Sequence, residues 1–404
     1  MDRPLRTLAS IASLEPSQKM LDMVSVGSKA LPTPGEPRKI LATLLCPLGD
    51  TLLATPALHA LRRHFPYAQI VGLTNRSNYG ILEGNPDLDS LVQVNPAGTG
   101  LEWARVVRAL YQLRREQFDM IVNFSTLGQV LTSISGGKKH VDFPMPRHWW
   151  LRPTRDERFV VGHAIDRYLD VVNRVGVSLP TEALERTPRL YLSGKDRAVA
   201  HSILRKAGVT PHDVVVAIHP GGEGFQRRKQ WSTDRFAAVA RRLIAEYQAK
   251  IVLVGGPTDK SLAEAIAAQL PIAPLDTTGQ ATLKQTAALI EASTLFIGND
   301  SCPLHMAGAV GTAAIGIFGP SNIQQFHPVG QAGFRFLAVH RDLPCSPCFH
   351  FVGNRPPWLV NLCYSRRCLK AISADDVIAS AYELLKERVA QGEPVAQGEP
   401  VVGR

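Results

Sequence analysis

The sequence predicts an α/β protein of two doubly wound parallel-sheet domains in tandem, facing each other across a cleft. Three observations carry that prediction. Short apolar runs without alternation, the mark of strands buried on both faces, recur along the chain and alternate with helical stretches. Each run closes in a turn rich in glycine, proline or aspartate, at the carboxyl edge where open α/β sheets bind ligands. A length of 404 residues also exceeds one ordinary core, at roughly 100–200 residues per domain.

The clearest unit is Ser293–Ser321, STLFIGNDSCPLHMAGAVGTAAIGIFGPS. Thr294–Ile297 reads as a buried strand and Gly298–Ser301 as a turn. Leu304–Val310 is a small-residue helix entered through Pro303, which a first helical turn tolerates. Thr312–Phe318 is the next strand. The turn brings Asp300, Ser301 and the open amides of a helix N-terminus to the carboxyl edge, where a phosphorylated ligand fits. Read alone, Asp300 or Ser301 is equally a helix cap, and His305 a helix residue facing a neighbour.

Residues 1–37 end in LPTPGEP, whose prolines oppose both helix and central strand, so they read as a disordered extension and linker. The first domain spans 38–192. It offers strands at Lys39–Leu45, Gln69–Thr74 and Phe118–Phe124, a turn at Pro47–Asp50, and helices at Thr51–Phe65, Leu101–Gln117 and Gly162–Val175. Residues 136–158, GGKKHVDFPMPRHWWLRPTRDER, break the alternation and read as a loop. Lys138, Lys139, Arg147, Arg152 and Arg155 beside Trp149 and Trp150 suit an anionic ligand or a membrane interface, and equally a surface loop with its tryptophans tucked underneath. The second domain spans 193–388, with helices at Lys195–Ala207, Ser232–Tyr247 and Leu283–Ala292 and strands at Val214–Ile218 and Ile251–Val254. VAQGEP then occurs twice in tandem, so 389–404 reads as a flexible tail.

Hydrophobic content of 45% and charged content of 20% are those of a soluble globular protein. No apolar run approaches the ~20 residues that cross a bilayer, and the first residues lack the apolar core of a signal peptide. A cytoplasmic protein is therefore expected. The net charge of +10 asks for nucleic acid, an anionic membrane face or a polyanionic substrate, or else only solubilises the surface.

Four turns converge on the carboxyl edges: LGD at Leu48–Asp50, HPGG at His219–Gly222 with Lys229 downstream, GGPTD at Gly255–Asp259, and GNDS at Gly298–Ser301. In order and spacing, HPGG…K-x-W-S…F, LVGGP, GNDSxPxHxAxAxG and GIFGPS resemble the donor half of glycosyltransferase family 9, the bacterial lipopolysaccharide heptosyltransferases. LLCPLGDTLLATPALHALRRHFP is similar to that family's opening strand, Gly-Asp turn and first helix. The resemblance covers residues 38–380. It implies a GT-B fold of two Rossmann-like domains, the N-terminal one binding acceptor and the C-terminal one nucleotide sugar. It further implies inverting, metal-independent transfer of a heptose from an ADP-sugar donor substrate to the lipopolysaccharide inner core, with no cofactor. The implied acceptor is an anionic lipid-linked saccharide, reached by peripheral contact with the cytoplasmic face of the inner membrane, and no nucleic acid is involved.

The chemistry assigns roles to these turns. Transfer from a nucleotide diphosphate sugar needs a base for the acceptor hydroxyl and positive potential for the departing diphosphate. Asp50 is the candidate base, or a helix cap. Lys229 and the amides after Asp300 would hold the diphosphate. Asp300, being anionic, would accept from its loop or from His305 and shape the site. His219, Gly221, Gly222 and Ser301 line the donor turns, and Thr258 or Asp259 reaches ribose hydroxyls. Gly49, Lys138, Arg147 and Arg152 are the acceptor-side candidates. The chain departs from the family at Cys302, where glycine is common; a side chain there crowds the phosphates or turns away. Cys345, Cys348, Cys363 and Cys368 are weak candidates for a zinc clip, the outer pair being loosely spaced.

Rival readings keep the same residues in view. Another nucleotide sugar or glycan acceptor fits the same machinery. An NAD-dependent oxidoreductase is disfavoured because PLGDT, not G-x-G-x-x-G, follows the first strand. A zinc-containing nucleic-acid-binding protein leaves the HPGG and GNDS turns unexplained.

Overall fold

The computed structural model describes residues 36–95, 101–125, 127–128, 132, 135–143, 162–176, 186–222, 224–348, 363 and 365–390. Among them are two sheets, every paired strand of which is parallel. The first holds β1 (Lys39–Leu44), β2 (Gln69–Asn75), β3 (Ser90–Val94), β4 (Phe118–Asn123) and β5 (Gly137–Asp142), in the order β3-β2-β1-β4-β5. The second holds β6 (Val215–His219), β7 (Lys250–Leu253), β8 (Leu275–Asp276), β9 (Leu295–Asn299), β10 (Ala314–Ile317) and β11 (Phe336–Val339), in the order β11-β10-β9-β6-β7-β8. Counted from its own first strand, each sheet has the doubly wound order in which the chain turns back beside that strand. The switch points lie between β1 and β4 and between β6 and β9, where such sheets open a crevice.

The helices that frame the site are α1 (Leu48–Leu53), α2 (Thr55–His64), α3 (Leu101–Arg115), α4 (Ala164–Asn173), α5 (Gly194–Lys206), α6 (Thr233–Tyr247), α7 (Leu283–Glu291), α8 (Cys302–Val310) and α9 (Ala374–Ala390). One apolar cluster joins Ile40, Leu44, Leu52 and Leu58 of the first sheet and its helices to Val252, Phe296, Leu304 and Met306 of the second. Separate clusters fill the outer faces, one beneath α3 and one beneath α6 and α9. Among the described residues no helix is long and apolar enough to cross a membrane.

The structure corrects several expected elements. Thr51–Phe65 is two helices rather than one, and the first begins at Leu48, so Asp50 lies inside α1 rather than in the turn before it. Pro56 causes the break: it has no N–H for the carbonyl of Leu52, which accepts from Thr55 Oγ1 at 2.6 Å instead. The stretch read as a loop from 136 opens with strand β5, along which Val141 is the buried residue. A lysine-bearing strand of this kind protects a sheet edge, and its polarity hid it from a hydrophobic pattern. The helix after GNDS starts at Cys302 rather than Leu304, and α9 runs to Ala390, past the expected start of the tail.

Register delivers the HPGG and GNDS turns side by side. β6 pairs with β9 from Val216↔Leu295 to His219↔Gly298, so HPGG and GNDS leave the sheet level with each other. Asn299 ties them together. Its buried amide donates to Pro220 O at 2.8 Å and Gly221 O at 3.2 Å, and its Oδ1 accepts from the Trp231 N–H at 3.0 Å. The Trp231 indole donates to Ile372 O at 3.1 Å, so this tryptophan anchors the C-terminal segment. Asn299→Ala leaves buried backbone groups unpaired and should lower unfolding stability by about 3 kcal/mol. Denaturant unfolding tests this; a loss under about 0.5 kcal/mol would mean that the turns hold without the side chain.

Candidate active site

Asp50 sits in the first turn of α1, just beyond the end of β1. The N-cap position belongs to Pro47 and carries no side-chain cap bond, so Asp50 is not the cap. Its Oδ1 accepts from Tyr168 Oη at 3.0 Å. Burial pushes its carboxyl up to about 6 and Asp300 adds to the rise, while the Tyr168 hydrogen bond, Lys229 and Arg167 oppose it. A carboxyl poised there takes up and gives back a proton near neutral pH.

Across the seam, Lys229 ends the turn Gly224–Lys229, and its Nζ donates to Asp300 Oδ2 at 2.6 Å. Burial raises the Asp300 carboxyl, but Lys229 and His305 outweigh it and hold the group below its ordinary value. The partner that fixes Asp300 is therefore Lys229, where the sequence reading expected the loop or His305. Ser301 takes the N-cap position of α8 without a side-chain cap bond. Its Oγ donates to Asn299 O at 3.1 Å and lies 3.1 Å from His219 Nδ1. The open amides of an N-terminus so built attract anions.

His219 Nε2 lies 3.4 Å from Asp259 Oδ2, which accepts from the Gly256 N–H at 2.9 Å. Side chains thus link the ends of β6 and β9 to the turn after β7. Gly221 is required here: a Cβ on it would fall 2.1 Å from Asp259 Oδ1. Asp259 is buried and its oxygens face these loops, whereas Thr258 in the same turn is exposed. Of the two residues proposed for ribose, only Thr258 therefore presents itself at the surface. Gly222 follows directly and its carbonyl accepts from Gln230 Nε2 at 2.9 Å.

The two domains meet closely at α1 and α8. A Cβ on Gly49 would stand 3.7 Å from both Cys302 Cα and His305 Cδ2, so Gly49 packs against α8 rather than facing outward. Cys302 turns into this seam. His305 is 4% exposed, and its Nδ1 has no hydrogen-bond partner among the described residues. Burial pushes its imidazole down to about 4, with Lys229 and His327 in the same direction and Asp300 opposing.

Other expected site residues fall elsewhere. Lys138 is the second residue of β5 and pairs with Asp119 at 2.7 Å, and Asp119 also accepts from the Arg38 and Lys39 N–H groups at the start of β1. This is the amino edge of the parallel sheet, opposite the edge that carries Asp50, so Lys138 is not at the site. Arg147 and Arg152 lie outside the described residues. Cys345, Cys348, Cys363 and Cys368 lie among the described residues, where no group of three or more His, Cys, Asp or Glu could hold a metal ion. Sequence reasoning missed Tyr168 and Arg167. Both lie on α4, buried, in a stretch that the sequence marks only as a helix.

Comparison with known proteins identifies the family and the fold. The profile of glycosyltransferase family 9 (heptosyltransferase) matches residues 106–358. Lipopolysaccharide heptosyltransferase 3 of Escherichia coli K12 is 27% identical over 358 residues, covering 84% of this chain and 96% of its own. The crystal structure of a family 9 glycosyl transferase from Veillonella parvula superposes with a TM-score of 0.71 at 24% identity, over 87% of this chain and 98% of that one. E. coli ADP-heptose lipopolysaccharide heptosyltransferase II superposes with a TM-score of 0.67 at 19% identity, over 87% and 99%. The fold of these structures is the GT-B arrangement seen here, and the chain belongs to glycosyltransferase family 9.

Proposed function

We propose that this protein transfers a heptose from ADP-heptose to a hydroxyl of the lipopolysaccharide inner core. The observation that carries the reading is the meeting, at the switch point of the donor half, of the acceptor-half carboxyl of Asp50 with Lys229, Asp300 and the N-terminus of α8. The names and activities of the relatives supply the sugar and the acceptor class. Asp50 takes the proton of the acceptor hydroxyl as its oxygen bonds the anomeric carbon. The bond from that carbon to the diphosphate oxygen breaks, and the negative charge departs on ADP. Lys229 and the α8 amides receive it. An ammonium has three donors, so it can bond a carboxylate and a phosphate oxygen together. The single displacement inverts the anomeric centre and draws its positive charge from these groups rather than from a metal.

An anionic, lipid-linked acceptor accounts for the net charge of +10 and gives Arg147 and Arg152 a purpose on the acceptor side. It also suits work at the cytoplasmic face of a membrane. The solvent face of α3, with Arg105, Arg108 and Arg115 beside exposed Tyr111, supports the same view.

Asp50→Asn should cut transfer a hundredfold or more while leaving ADP-heptose affinity within about twofold, since the amide keeps the shape and removes the base. Single-turnover rates and donor titration check this, and near-normal turnover would remove Asp50 from the chemistry. Because the base must be ionised and burial raises its carboxyl to about 6, kcat/KM should climb about tenfold per pH unit below that value and level off above it. A flat profile between pH 5 and 8 contradicts the assignment. Lys229→Ala should weaken binding of the nucleotide diphosphate and slow transfer further, the charge mattering most as the diphosphate leaves. A change confined to the acceptor KM would move Lys229 to the other half of the cleft.

A further inference from the structure

We propose that Tyr168 is a positioning residue for the reaction: its hydroxyl holds one oxygen of the Asp50 carboxylate so that the other meets the acceptor hydroxyl. The inference rests on the reading of Asp50 as base. Tyr168 Oη donates to Asp50 Oδ1 at 3.0 Å across a sequence separation of 118 residues. The ring is 1% exposed and wedged between Phe124 and Phe143, whose centroids lie 6.4 and 5.5 Å away. It has little room to turn, so its hydroxyl is aimed by packing and not by the carboxylate it serves. Burial, then the charge of Asp50, raises the phenol well above its ordinary value, which keeps it a donor throughout the working range.

The helix that carries Tyr168 is itself fastened to the donor half. His163 occupies the N-cap position of α4, where its Nδ1 accepts from the Ile165 N–H at 3.2 Å. That leaves Nε2 as the donor to His327 O, 2.8 Å away beyond β10. Burial pushes His163 down to about 3, so the neutral ring that both bonds require is kept. The aim of Tyr168, and through it of Asp50, is thereby set with the two halves together.

The groups that face Asp50 are Tyr168 and Arg167 from α4, Lys229 from its turn, Asp300 after β9, Cys46 after β1, and Cys302 at the start of α8 with His305 one turn on. Of these, Tyr168 is the largest influence favouring the carboxylate.

The test is the pH profile of kcat/KM for transfer by Tyr168→Phe, with ADP-heptose affinity measured in parallel. Losing a hydrogen bond to the charged form raises the carboxyl, so the acid limb should move up by about one pH unit. At pH 8, kcat should fall about tenfold from lost alignment, with donor affinity unchanged. A limb at the wild-type pH overturns the proposal. If the variant loses donor binding, 3,5-difluorotyrosine introduced at position 168 keeps the shape and strengthens the donor. The limb should then move down in pH, and an unmoved limb overturns the proposal. Asp50→Asn separates the two readings. Near-normal turnover there removes the base and Tyr168's role together, whereas abolished turnover with an unmoved Tyr168→Phe limb removes Tyr168 alone.

Discussion

Lys229 and Asp300 approach to 2.6 Å with only 9% and 3% of their side chains exposed. Taking two ions out of water costs several kcal/mol each, and such a pair survives only when geometry and neighbouring bonds repay it. Here the pair locks the turn Gly224–Lys229 onto the turn after β9, and Asn299 fastens that turn to HPGG. Seen from Asp50 the two charges act in opposite directions, Lys229 favouring the carboxylate and Asp300 its protonated form. Burial therefore remains the leading influence, and Asp50 stays near 6 despite a cation in the same seam. Were Asp300 neutral, Lys229 would draw Asp50 toward an ordinary carboxylate, a weaker base.

The same seam decides where Asp50 and Lys229 stand relative to one another. The apolar cluster is continuous from the first sheet to the second, so the halves share a core along this face. Polar ties flank it: Lys284 Nζ donates to Glu83 O at 2.7 Å, and His163 reaches His327 O. Separating the halves would expose apolar surface and leave buried donors without acceptors. Asp50 and Lys229 belong to different sheets, and these contacts rather than local chain geometry bring them together.

Much of this was legible in the sequence, in a pattern with a physical cause. The central strands β1, β2, β4, β6, β7, β9 and β10 are apolar runs and were read as strands. β3, β5, β8 and β11 are the four sheet edges, and none was read. An edge strand has one pairing partner and more solvent, so β3 and β5 carry polar residues, while β8 is only two residues long and β11, though apolar, only four. The turns that carry glycine, proline and aspartate were visible because special backbone geometry restricts residue choice. Tyr168 and Arg167 were not. They reach the site from a helix that looks like any other amphipathic segment, and only tertiary packing shows that its buried face ends at Asp50. Lys138 misled in the opposite sense: a basic residue in a basic stretch, it proved to stand at the far edge of the sheet.

Cys302 makes a further demand on the seam. The start of α8 lies within van der Waals reach of Gly49, the residue before Asp50, and helices approach this closely only through small side chains. With Gly49 on one side, Cys302 fills the space without parting the halves. Its thiol is pushed up first by burial and then by the charge of Asp50, so it remains neutral beside Lys229 and Asp300. A carboxylate at the same position would add a negative charge next to Lys229, and a branched or aromatic side chain would press on α1. Cys302 thus contributes volume and no charge, which reconciles a side chain at this point with close approach of Asp50 to the second sheet's domain.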